Sequence, residues 1–230
     1  MQRSDFASQT LSNIWQVLSD SGLLLVALGF TALVMSNLIT LYMGQNIVLL
    51  ALNSDYMGVL LSWTVFDSWG TVFGLLGVVI LFAPVLFGMA RSRRRSLSIF
   101  FVSASIISGV ISTVVWNYFY NLEAMIPYGA SSIAVSAQAI IFALSAIGLF
   151  SFRFKKESSS REVYWRNSLT IIYITLIGTT LWFILILEPI FVPTEDYNWR
   201  AHEFGFLLGL TSTLVYSFIE HIRSRELSWF

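Results

Sequence analysis

The sequence predicts an all-α membrane protein, a bundle of six transmembrane helices with both termini in the cytoplasm. Two observations lead there. Of the 230 residues, 56% are hydrophobic and only 11% charged, with eight tryptophans and a mean hydropathy of +0.74, far from the composition of a soluble domain. The basic residues are also sorted: all but Arg200 fall in the two tails and in one set of the connections between apolar runs, and seven acidic residues lie in or beside the other set.

Taken in order, residues 1–21 are polar, with Leu11, Ile14, Trp15 and Leu18 at i, i+3, i+4 and i+7, the pattern of a short amphipathic helix on a membrane surface. The first apolar run begins too far into the chain, and without a basic flank or a cleavage site close behind it, to be a signal peptide. Residues 22–42 are long enough to cross a hydrocarbon core of ~30 Å at 1.5 Å per residue. A connection over 44–58, carrying Asp55 and no Lys or Arg, leads to a second span over 60–89, entered through Trp63, Phe66, Asp67, Ser68 and Trp69, where aromatic residues suit an interface. Pro84 near its end is tolerable where neighbouring helices satisfy the freed carbonyl. Further spans are expected over 98–120, 127–152, 168–187 and 200–219, with Ser158 to Ser160 as a flexible turn before the fifth. The domain organisation is thus a tail (1–21), a six-helix membrane domain (22–220) and a second tail (221–230).

Charge sets the orientation. Arg3, Arg91, Arg93, Arg94, Arg95, Arg153, Lys155, Lys156, Arg161, Arg166, Arg223 and Arg225 fall on one side of this six-span topology, and Arg200 alone on the other. The positive-inside rule makes the first side cytoplasmic. Asp55, Asp67, Glu123, Glu188, Glu195, Asp196 and Glu203 lie in or beside the outward connections. The formal net charge is zero, so the chain has no nucleic-acid footprint. With no cysteine, thiol nucleophiles, disulfides and zinc–thiolate or iron–sulfur sites are excluded.

Chemistry centres on Gly129-Ala130-Ser131-Ser132-Ile133-Ala134-Val135-Ser136 at the outer mouth of the fourth helix. Small residues at 129, 132 and 136 line one face, as in closely packed membrane helices. His202 opens the sixth helix from the same side, with Gly205 and Gly209 at i+3 and i+7 leaving bare backbone beneath the imidazole. A hydroxyl and an imidazole at one depth on two close-packing helices are the minimum for an activated serine, the imidazole removing the hydroxyl proton as attack begins. The other histidine, His221, sits beside Arg223 at the cytoplasmic end of the sixth helix and reads as interfacial.

Gly129-Ala130-Ser131-Ser132 resembles the GxSG motif of rhomboid intramembrane serine proteases, and Ala201-His202-Glu203-Phe204-Gly205-Phe206-Leu207-Leu208-Gly209 resembles their AHxxGxxxG motif. Order and topology are similar too, over roughly residues 22–220. The resemblance implies a six-helix core with a Ser–His dyad opening to the outer face, Ser131 as nucleophile and His202 as general base. Gly129, Ser132, Gly205 and Gly209 would serve packing and the oxyanion site, and the substrates would be transmembrane segments of other membrane proteins. It implies no metal and no cofactor. The sequence departs from the family at Ser132, which replaces the last glycine of GxSG, and at Gly70 and Gly74. Those two fall where bacterial members often carry a histidine and an asparagine, so neither can donate a side-chain hydrogen bond to an oxyanion. Ser68, Thr71 and Asn121 are the candidate polar substitutes. Val135 stands where an aromatic often packs on the histidine, and the first loop lacks the Trp-Arg pair of many members.

Other classes fit less well. A metalloprotease of the HExxH type needs a second histidine at 206, which is Phe206, and His221 lies ~28 Å further along a helix. An aspartyl protease needs two carboxylates facing each other at depth, yet Asp67, at the outer end of the second span, is the only aspartate inside an expected span. Two non-proteolytic readings remain: a rhomboid-like protein that binds transmembrane segments without cutting them, and a small transporter, for which midplane charges or broken helices are expected.

Overall fold

A computed structural model of the chain describes residues 21–43, 69–89, 91–120, 129–153, 160–182 and 199–224. These residues form α1 (Ser21–Met43), α2 (Trp69–Gly88), α3 (Arg91–Tyr120), α4 (Gly129–Arg153), α5 (Ser160–Trp182) and α6 (Trp199–Ser224), an all-helical architecture. Four of them are long and apolar enough to cross a membrane, over Gly22–Ile39, Trp69–Gly88, Arg93–Val115 and Ser131–Phe150. The described part of α5 carries Arg161, Glu162 and Arg166 in its opening turns, and the apolar stretch of α6 is bounded by Glu203 and Glu220, so neither joins that set. The expected amphipathic segment before residue 21, the connections over 44–58 and 188–198, and the tail beyond 224 lie outside the described residues.

α4 is the central helix. It packs against α6, α3, α5 and α2, while α1 packs on α3 and α2 from the outside. The Ser131–Phe150 span is 67% buried, against 39% for each of the other three. Residues 131–137 of α4 are all buried, which requires small side chains on the faces that meet α6 and α3. In lipid no hydrophobic force drives one apolar helix onto another; close backbone approach, van der Waals packing and interhelical hydrogen bonds do so instead. Glycine provides that approach at Gly109 of α3, where a Cβ would lie 2.6 Å from both the Cα and the backbone N of Ile133.

Aromatic stacking fills the bundle towards the end away from Ser131. Phe101 of α3 stacks on Phe82 of α2 with centroids 3.8 Å apart and on Phe30 of α1 at 5.6 Å, all three buried. Phe100 stacks on Tyr216 of α6 at 4.0 Å, and Phe142 of α4 on Tyr173 of α5 at 4.7 Å. These pairs tie each outer helix to its neighbour through specific geometry rather than area alone.

Three boundaries differ from the sequence expectation. α3 begins at Arg91, not near 98, so the arginine run is helical rather than a linker. The cause is Arg94, whose Nε and Nη2 donate to the carbonyls of Met89 (3.1 Å) and Phe87 (3.2 Å) and whose guanidinium lies 5.2 Å from the centroid of the Phe87 ring. It thereby satisfies carbonyls at the end of α2, the negative pole of that helix, and locks the turn between them. α5 begins at Ser160 rather than near 168, with Glu162 in its first turn, where a carboxylate complements the positive end of the helix dipole. Ser160 is thus the first residue of a helix, not part of a flexible turn. α6 runs on past 219 to Ser224. Pro84 is accommodated inside α2 without ending it.

Candidate functional site

Ser131 is the third residue of α4 and His202 the fourth of α6. The two helices start at the same end of the bundle and run side by side, which brings the Ser131 Oγ to 2.8 Å from the His202 Nε2. Both residues are nearly inaccessible, at 6% and 2% exposed. With the ring proton on Nδ1, Nε2 accepts the serine hydroxyl proton in this contact. A hydroxyl held on an imidazole lone pair away from bulk water is the arrangement that turns a weak alcohol into a nucleophile.

The close approach depends on the glycines of α6. A Cβ on Gly205 would stand 2.9 Å from the Ser136 Oγ, 3.1 Å from the Ser112 Oγ and 3.3 Å from the Ser132 carbonyl oxygen; one on Gly209 would stand 2.6 Å from the Ser136 carbonyl oxygen. Any side chain at Gly209 therefore pushes α6 away from α4, and His202 with it. Gly129 is the first residue of α4. Ser131 lies in the opening turn, where the helix dipole presents its positive end.

Ser132 is 1% exposed and its Oγ has no hydrogen-bond partner. A buried hydroxyl left unpaired costs about 1–3 kcal/mol. Ser132→Ala is therefore expected to stabilise the fold by about 1 kcal/mol and to leave the Ser131–His202 contact intact. Unfolding in a denaturing-detergent titration measures this, and a loss of stability of similar size would show that the hydroxyl has a partner.

On the other flank, Gly74 of α2 faces Ala134, its Cβ position 3.9 Å from the alanine Cβ. Ala134 shares a helix face with Ser131. Gly70 is exposed in the first turn of α2, and Thr71 beside it is buried. Ser68, Asn121 and Asp67 lie outside the described residues. Val135 is buried and His221 is exposed at the far end of α6. Among the described residues no three His, Asp or Glu side chains cluster as metal ligands would.

A feature the sequence reading passed over is the seam of buried hydroxyls where α3, α4 and α6 meet. Ser105, Ser112 and Thr113 donate to carbonyls of their own helix, to Phe101 (2.6 Å), Gly109 (2.8 Å) and Gly109 (2.9 Å). Ser108 Oγ is 3.4 Å from Ser212 Oγ across α3 and α6. Ser136 donates to the Ser132 carbonyl (2.8 Å) and to the Gly205 carbonyl (2.9 Å). The signal was present in the helical spacing of Ser105, Ser108 and Ser112, which puts three hydroxyls on one face of α3.

No protein-family model matches the chain, and no curated protein or solved structure does either. The functional reading rests on the residues and their geometry.

Proposed function

We propose that the chain is a membrane-embedded serine protease of rhomboid type, with six membrane spans, both termini cytoplasmic and the site opening to the extracytoplasmic side. Its substrates are transmembrane segments of other membrane proteins. The observation that supports this most is the 2.8 Å contact between Ser131 Oγ and His202 Nε2, buried between two helices that glycines allow to touch. The order of the two motifs and the segregation of basic residues support it as well.

In the proposed reaction a substrate helix approaches laterally between α2 and α5, which touch each other less than either touches α4, and unwinds near the outer surface. Ser131 Oγ attacks the peptide carbonyl carbon while His202 Nε2 takes the hydroxyl proton. The resulting oxyanion is stabilised at the positive end of the α4 dipole. His202 then returns its proton to the leaving amine and the C–N bond breaks, leaving an acyl ester on Ser131. Water attacks the ester with His202 again as base, releasing the acid and the free serine.

Gly70 and Gly74 favour a second reading, a rhomboid-like protein that binds transmembrane segments with little or no turnover, because loss of one side-chain oxyanion donor typically lowers the rate ~10²–10³-fold. One assay separates the two. The chain is reconstituted into vesicles with a single-span peptide, and cleavage products are identified by mass spectrometry. Proteolysis predicts two fragments from the native chain and none from Ser131→Ala. Saturable peptide binding without fragments contradicts it and supports the second reading.

A further inference from the structure

We propose that Ser136 is a positioning residue that holds His202 against Ser131. Its catalytic consequence rests on the protease reading above, and its structural consequence on geometry alone. Ser136 is fully buried, and its single hydroxyl proton is shared between two carbonyl oxygens, that of Ser132 on its own helix at 2.8 Å and that of Gly205 on α6 at 2.9 Å. Those two acceptors belong to the residue after Ser131 and to the residue one turn after His202. The hydroxyl therefore spans the α4–α6 seam one turn below the pair and joins the two backbones that carry it.

Three further facts make this bond the one that sets the register. Gly205 has no Cβ, and one placed there would meet the Ser136 Oγ at 2.9 Å, so the hydroxyl occupies the space a side chain would take. Ser112 of α3 closes the same space from behind, its Oγ 3.1 Å from that Cβ position, while its own proton goes to Gly109. Among the described hydroxyls in the seam, Ser105, Ser112, Thr113 and Thr213 donate only to carbonyls of their own helices. Ser136 alone in that group reaches a carbonyl of a neighbouring helix. In lipid, where apolar surfaces attract weakly, such a bond is a principal orienting force. Misplacing a reacting group by about 1 Å is enough to cost ~10²-fold in rate.

The test uses the chain carrying ¹⁵N-histidine and His221→Gln, so that of its two histidines His202 alone reports. Ser131→Ala gives the Nε2 resonance of the broken contact. Ser136→Ala is expected to move Nε2 to that position, whereas Ser105→Ala, which removes an equally buried hydroxyl bonded only within its own helix, leaves it at the native position. In the cleavage assay Ser136→Ala lowers kcat by ~10–100-fold with KM changed less than about twofold. A native Nε2 resonance in Ser136→Ala overturns the proposal. Should the native chain show no hydrolysis at all, the protease reading fails, and the Nε2 resonance still decides whether Ser136 holds the two helices in register.

Discussion

Ser131→Ala is expected, on the proposed protease mechanism, to lower peptide-bond hydrolysis by at least ~10⁴-fold, the largest effect of the substitutions considered. Ser131 Oγ is the atom that lies 2.8 Å from His202 Nε2, so the substitution removes the attacking oxygen itself. His202→Ala removes the base and is expected to lower the rate by ~10²–10⁴-fold. The double variant falls no further than Ser131→Ala alone, because base and nucleophile act as one unit. Rates of product formation in vesicles, for both single variants and the double, measure this. Additive losses would mean that the two side chains act separately despite their 2.8 Å contact.

The largest effect on folding is expected from Gly109→Ala. The added Cβ would sit 2.5 Å from Ile133 Cγ1 and 2.6 Å from the Ile133 Cα and backbone N. A side-chain tip gives way cheaply, but the backbone of the central helix does not. α3 must separate from α4, at a cost of about 3 kcal/mol or more. Gly77→Ala is the control: nothing lies within 4 Å of its Cβ position, and it is expected to leave stability unchanged or slightly higher, as alanine replaces glycine in a helix. Unfolding titrations of the two variants check the contrast. Equal stabilities would mean that α3 and α4 pack less closely than described.

How much of this was legible in the sequence depends on which force decides each feature. The all-helical membrane class follows from hydropathy and survives in the structure. Ser131, His202, Gly205 and Gly209 were legible because their spacing puts them on defined faces of helices that open at one end of the bundle, and the structure brings all four to a single seam. The start of α3 was not legible: four arginines read as a linker, and only the tertiary bonds of Arg94 to the Phe87 and Met89 carbonyls explain why they are helical. Ser136 was visible as a small residue, but periodicity names a face and not a partner, so its bond to Gly205 lay beyond a one-dimensional reading. Gly109 escaped for the same reason, since what distinguishes it from Gly77 is the backbone of Ile133 opposite.

The most direct measurement is covalent. The folded chain in detergent is treated with a fluorophosphonate, which phosphonylates activated serines, and the adduct is located by peptide mass spectrometry. A single adduct on Ser131, absent from His202→Ala and from denatured protein, is the predicted result. Equal labelling of Ser131 with and without His202, or no adduct on Ser131 in the native fold, would contradict it.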